Sequence, residues 1–130
     1  MKKTERRHED EAEVRFLEGV RKRCPADDRI WRALAELYTR VGRYEDGLAE
    51  DLKLAGMFPR EPDVWYNLAC SHALLGQVDD AIKALQTAAR CGYGNVEWMM
   101  EDDDLLSIHS DPRFQELLTQ LASCESNDGP

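Results

Sequence analysis

The run Glu101-Asp-Asp-Asp104, with His109 five residues further on, brings together the carboxylates and imidazole that a divalent cation would want. A calcium loop alternates its ligands and turns on a glycine, and this run does neither. It reads instead as a solvated turn whose carboxylates also cap the start of a helix. His8, His72 and His109 are scattered and share no motif with a cysteine or serine nucleophile. Cys24, Cys70, Cys91 and Cys124 form no CxxC pair and no disulfide framework. Each falls in or beside an expected helix, as thiols do in reduced, intracellular surroundings, and Cys70 and Cys91 suit small apolar packing positions. No catalytic residue, cofactor site or metal ligand set emerges, so the chain is expected not to be an enzyme.

Composition narrows the partners. The 130 residues are 33% charged and 42% apolar, a balance that folds, and the net charge is -9. Residues 1–60 carry 14 Lys/Arg against 13 Asp/Glu, whereas residues 61–130 carry 3 against 13. A phosphate-binding domain needs a basic surface, so nucleic acid is not an expected partner. Arg21-Lys-Arg23 reads as cations gathered at a helix C-terminus, where the dipole favours them. Met1 to Asp10 has no apolar run behind its charges, unlike a signal peptide, and no apolar stretch approaches the ~20 residues of a membrane helix. The expectation is a protein of the cytoplasm, off the membrane.

The elements that would position any site repeat along the chain. Trp31-Arg-Ala-Leu-Ala-Glu-Leu-Tyr38 realigns on Trp65-Tyr-Asn-Leu-Ala-Cys-Ser-His72, 34 residues later, and the same shift carries Gly42 to Gly76 and Pro25 to Pro59. A fixed period of this length means helical hairpins that need neighbours, because one hairpin cannot bury its own apolar face. Apolar spacing and the Gly and Pro breaks predict helices at about 5–23, 28–41, 44–57, 62–75 and 78–91. Asp27 or Asp28 can cap the second helix, and Pro62 suits the first turn of the fourth. Along 5–23, Val14, Leu17 and Val20 with Phe16 form the apolar stripe of a helix without a hairpin partner before it. Beyond residue 92 the period decays: Trp98 comes 33 residues after Trp65, but the acidic run interrupts the helix. A last amphipathic helix is expected from Asp111-Pro112, burying Phe114, Leu117, Leu118 and Leu121.

These residues resemble the tetratricopeptide repeat: Trp, then Leu and a small residue, an aromatic, a mid-repeat Gly, an Ala in the second helix and a closing Pro. One unit supplies Trp31, Leu34, Ala35, Tyr38, Gly42, Tyr44 and Pro59; the next supplies Trp65, Leu68, Ala69, Gly76, Ala81, Leu85 and Ala88. Gly47 stands in place of the usual Ala, His72 of the aromatic, Val78 of Tyr and Tyr93 of Pro. Gly47 costs about 1 kcal/mol of helix propensity. The segment Asp102 to Phe114 resembles the closing segment of many bacterial arrays of the family. The resemblance implies an all-α fold of antiparallel hairpins stacked as a short right-handed superhelix, an α-solenoid. Its parts would be a half-repeat helix at 1–27, repeats at 28–61 and 62–95, a degenerate capping unit at 96–123 and a disordered tail at 124–130. Trp98, Leu105, Ile108, Phe114 and Leu118 would cover helix 78–91.

The resemblance also implies an inner groove and a protein or peptide ligand for it. The signature aromatics Trp31, Tyr38, Tyr44 and Trp65 belong to the core, so the groove falls to the other stripe of each first helix. A 3.6-residue spacing puts Arg29, Arg32, Glu36 and Arg40 on one face, and Asp63, Tyr66, Cys70 and Leu74 on the matching one, with Asn67 beside it. Tyr66 and Asn67 stand where family members contact an extended peptide, and a ring and an amide suit that task. The family's clamp for acidic chaperone tails maps to Arg32, Glu36, Asn67, Met100 and Asp104; Glu36 and Asp104 would repel a carboxylate, so that clamp is absent. Two functions follow: a monomeric adaptor or scaffold that holds a partner's peptide or helix, or a structural module that dimerises through residues 5–23.

Overall fold

Seven α-helices and one 3-10 helix make up the computed structural model, which describes residues 3–127 and, among their side chains, those of residues 8–124. No strand occurs among the described residues. The chain divides into an N-terminal unit, Met1–Met57, and a C-terminal unit, Phe58–Pro130.

The N-terminal unit holds α1 (Lys3–Arg23), α2 (Asp28–Arg40) and α3 (Tyr44–Met57). Asp27 caps α2, its carboxylate accepting the Arg29 backbone N–H at 3.0 Å. The break between α2 and α3 falls at Gly42, whose φ of +84° places it in the left-handed region that a side chain disfavours. Val14 of α1 packs with Leu34, Leu37 and Tyr38 of α2, and Leu17, Ile30 and Val41 close around them. Phe16 leaves the expected stripe: it is 65% exposed, against 1% for Val14. Two residues of helix turn a side chain about 200°, so Phe16 faces away from Val14.

Polar contacts tie α1 to both other helices of its unit. The Tyr38 hydroxyl donates to Glu18 at 2.5 Å, and the Arg43 guanidinium lies 4.6 Å over the Tyr38 ring and 3.5 Å from Glu18. Arg21 pairs with Glu50 of α3, a buried carboxylate that Lys53 also approaches at 3.7 Å. A buried carboxylate needs such partners, because leaving a charge unpaired in the interior is costly. Gly47 also gains a reason. A Cβ there would lie 3.1 Å from Thr39 Oγ1 and 3.5 Å from the Ala35 carbonyl, so its absence lets α3 approach α2 closely.

The C-terminal unit holds α4 (Pro62–Leu74), α5 (Val78–Arg90), α6 (Val96–Glu101), the 3-10 helix Asp103–Ile108 and α7 (Pro112–Asn127). Pro62 opens α4, and Gly76, at φ +74°, separates α4 from α5 as Gly42 separates the earlier pair. Leu68, Ala69 and Ala73 face Ala81, Ile82, Leu85 and Ala88. The 3-10 helix packs on both α4 and α5, and α7 packs on α5 and α6. Leu105 and Ile108 (0% exposed) and Phe114 (1%) are fully buried, and Leu117 and Leu118 nearly so. Ser107 donates to the Ala73 carbonyl at 2.8 Å, while Arg113 bridges Asp111 and Asp79, each at 2.8 Å.

Three expectations for this segment need correction. Trp98 does not cover α5; it is 57% exposed, and Met99, at 1%, takes the inner position. The acidic run does not simply interrupt a helix. Asp102 caps a 3-10 helix by accepting the Asp104 N–H at 3.0 Å, so the run starts a further helical element. Finally, α7 continues through Cys124 to Asn127, where a disordered tail from 124 is expected; residues 128–130 lie outside the described part.

Removing residues 95–130 strips the third layer from α4 and α5, so that truncated chain is expected to aggregate or unfold on purification. Phe114→Ala is the finer test: it should lower the unfolding free energy by about 3–5 kcal/mol in chemical denaturation.

Candidate protein-binding site

The two groups of sequence-predicted groove residues fare differently. On α2, Arg29, Glu36 and Arg40 are exposed and Arg32 is half-buried, and all four are engaged in ion pairs. Arg29 bonds Asp27 at 2.8 Å, Arg32 bonds Asp28 at 3.0 Å, and Arg40 reaches Glu36 at 3.2 Å and Asp10 of α1 at 3.5 Å. Pairs this exposed contribute little to stability and exchange readily for a ligand's charges.

On α4, Asp63 and Asn67 are exposed and Leu74 is half-buried. Tyr66 and Cys70, from the same stripe, are 5% and 7% exposed and turn inward. The Tyr66 hydroxyl donates to Asp102 Oδ2 at 2.7 Å, and the Cys70 thiol points to the same oxygen at 3.8 Å. The Tyr66 ring stacks on Tyr93 with centroids 4.4 Å apart and planes 6° from parallel. One carboxylate thus gathers α4 onto the loop that joins α6 to the 3-10 helix. Spacing along α4 does reveal which residues share its face. It cannot reveal that the chain 36 residues later returns to cover part of it.

The electrostatics follow from this enclosure. Burial, reinforced by the hydrogen bond to Asp102, holds the Tyr66 phenol protonated far beyond its ordinary range. Burial pushes Tyr93 up to about 12, with Cys70, Asp63 and Asp102 adding to the shift. Asp104 is raised from the ordinary carboxylate value by burial and then by the charges of Asp102 and Asp103. Cys70 Sγ and carboxylate oxygens of Asp102 and Asp104 lie within 4.8 Å of one another, a spacing metal ligands can have. The Asp102 oxygens are nonetheless already engaged by Tyr66, Cys70 and the Asp104 N–H, so the group works as a hydrogen-bonded anchor. His109 is not in this group; its ring stacks on Phe114 at 5.2 Å.

Beside the anchor lies a cleft of about 420 Å³, lined by Pro62, Asp63, Gly92, Tyr93, Gly94, Asn95 and Trp98. Asn95 caps α6 by accepting the Trp98 N–H at 3.1 Å. A second cleft, of about 440 Å³, runs between α5 and α7 past Ala89, Leu117, Leu121 and Cys124. Sequence reasoning misses the first cleft except for Asp63. Its available signal is Tyr93, an aromatic where the repeat pattern closes on proline.

Hairpins at a 34-residue period, broken at Gly42 and Gly76, define a helical-repeat protein. Residues 62–94 match the model of the tetratricopeptide repeat, so this stretch of the chain is similar to one such repeat. The solved structure of MamA AMB-1 has the same fold, with a TM-score of 0.67 at 20% identity over 90% of this chain and 63% of that one. A chloroplastic protein of Arabidopsis thaliana is 29% identical over 87 residues, which are 65% of this chain and 26% of that protein. The chain therefore spans about a quarter of that relative and less than two-thirds of MamA. Among the described residues no helix is long and apolar enough to cross a membrane.

Two measurements test the anchor. The folded protein keeps Tyr66 and Tyr93 protonated above the ordinary tyrosine value of 10.0, whereas the unfolded chain ionises there. The Tyr93 contribution is complete below pH 10 and is lost as pH rises towards about 12. The melting temperature of Tyr93→Phe should consequently fall less steeply than that of the parent across this interval; equal slopes refute the assignment. For Asp104 the raised value means that its charged form opposes folding at neutral pH. Asp104→Asn is expected to raise the melting temperature at pH ~7, with the gain vanishing below about pH 4, where the parent carboxyl is protonated too.

Proposed function

We propose that this chain is an adaptor or scaffold, with no chemistry of its own, that holds a peptide or helix of a partner protein in the concave groove expected of its repeats. In this reading residues 28–61 and 62–95 act as the two repeats, residues 1–27 as a half-repeat and residues 96–123 as the closing cap. The working compartment is the cytoplasm. The observation that carries the reading is the outward presentation of hydrogen-bonding and charged side chains on the first helices. Arg29, Arg32, Glu36 and Arg40 line α2, while Asp63 and Asn67 line α4. An Asn amide offers both a donor and an acceptor to an extended backbone, and arginines offer planar forks.

Self-association through α1 is the weaker alternative. Its exposed residues include Glu9, Glu11, Glu13, Arg15, Lys22 and Arg23, with Phe16 as the one large apolar side chain among them. Interface cores are depleted in charge, so this face suits water better than a second copy.

Selection of a random peptide library on the intact chain tests the proposal. Binders should emerge, and Arg32→Glu with Asn67→Ala should weaken them at least about tenfold while the melting temperature changes little, since exposed pairs are worth only ~0–1 kcal/mol. Binders indifferent to the double variant move the site elsewhere, and a stable dimer by light scattering that Phe16→Glu dissolves favours the alternative.

A further inference from the structure

The cleft beside α4 combines features that select one kind of occupant. Its walls are aromatic: Tyr93, fixed by stacking on Tyr66, and Trp98, left 57% exposed although it is the largest side chain of the cap. Its rim carries Asp63, an exposed carboxylate with no ion pair among the described residues. Neither Lys nor Arg lines it. Of the three cations in residues 61–130, Arg113 is paired with Asp79 and Asp111, and Arg90 donates to the Thr87 hydroxyl. Behind the Tyr93 wall stand Asp102 and Cys70, which act on that phenol together with Asp63. Aromatic faces attract cations through their quadrupole, and an unpaired carboxylate beside them adds a charge partner.

We propose that this cleft is a subsite for a cationic side chain, arginine or lysine, carried by the partner peptide. As a statement about the biological ligand, this rests on the protein-interaction reading above. The physical claim about the cleft stands by itself. Trp98 and Tyr93 supply the faces over which the guanidinium or ammonium lies, Asp63 supplies the counter-charge, and Gly92 and Gly94 leave the entrance free of side chains. An acidic or purely aliphatic side chain gains from neither.

Small probes test this on the intact protein. The peptides Ac-Gly-Arg-Gly-NH₂ and Ac-Gly-Lys-Gly-NH₂, with Glu and Leu counterparts as controls, are titrated while two-dimensional NMR follows the amides and the three tryptophan indoles. The cationic probes should shift the Trp98 indole and the Gly92, Gly94 and Asn95 amides saturably; the Glu and Leu probes should not. Asp63→Asn and Trp98→Ala, both at exposed positions, should each weaken binding about three- to fivefold. No saturable shift at these signals, equal shifts from the Leu or Glu probe, or unchanged binding in Asp63→Asn overturns the proposal. The two readings fail separately. Library binders that lack Arg and Lys and respond to Asn67→Ala but not to Asp63→Asn leave the adaptor standing and remove the cationic subsite. A cleft that takes the arginine probe in a chain that selects no library peptide does the reverse.

Discussion

A helical hairpin is two layers thick, and each of its helices has an apolar stripe wider than its partner can cover. Both units of this chain answer that constraint with a third layer. In the N-terminal unit the third layer is α1, which lays Val14 on Leu34, Leu37 and Tyr38 and pins itself with Glu18 to Tyr38 and Arg21 to Glu50. In the C-terminal unit it is the 3-10 helix with α7, which set Leu105, Ile108 and Phe114 against α4 and α5. Both layers combine burial with a polar tie. Burial is non-directional and the tie selects one register, so together they specify a unique arrangement.

The tie in the C-terminal unit also decides what remains for binding. A buried phenol without a partner is costly, so once the cap covers Tyr66 its hydroxyl must find an acceptor, and Asp102 supplies it. The cap thereby withdraws Tyr66 and Cys70 from the face of α4 and leaves Asp63 and Asn67 on it. It adds Trp98 in return, because α6 is short and can turn only Met99 inward. Closing the hydrophobic core and setting which side chains stay exposed on α4 are here one act of packing.

What the sequence makes legible is local or periodic. The 34-residue step, Gly42 and Gly76 at their left-handed φ, Asp27 as a cap and Asp111-Pro112 as a start are signals read within a turn or two of the helix they control. Misreadings occur where the outcome depends on distant chain. Phe16 is judged apolar by type although its angular position faces water, and Trp98 is assigned inward by its place in the period although Met99 beside it is the buried one. Nothing local tells that Asp102 will meet Tyr66. Capping by Asp102 is a local signal, yet a 3-10 helix of six residues is too short to leave a period.

The departures from the repeat pattern therefore carry more information than its matches. Pattern residues are fixed by packing and recur wherever the scaffold does, so they cannot distinguish one partner from another. Gly47, in place of alanine, is answered by packing as well, since a methyl group there would press on Thr39 Oγ1 at 3.1 Å. Tyr93 is not. The pattern requires only a chain stop after α5, and Gly92 and the start of α6 provide one. A tyrosine there stacks on Tyr66, walls the cleft and brings an aromatic face next to Asp63. Residues 61–130 carry 13 acidic side chains against 3 basic ones, and no Lys or Arg lines that cleft. The repeat supplies the helices that hold the surface, and an off-pattern residue decides which side chain stands beside Asp63.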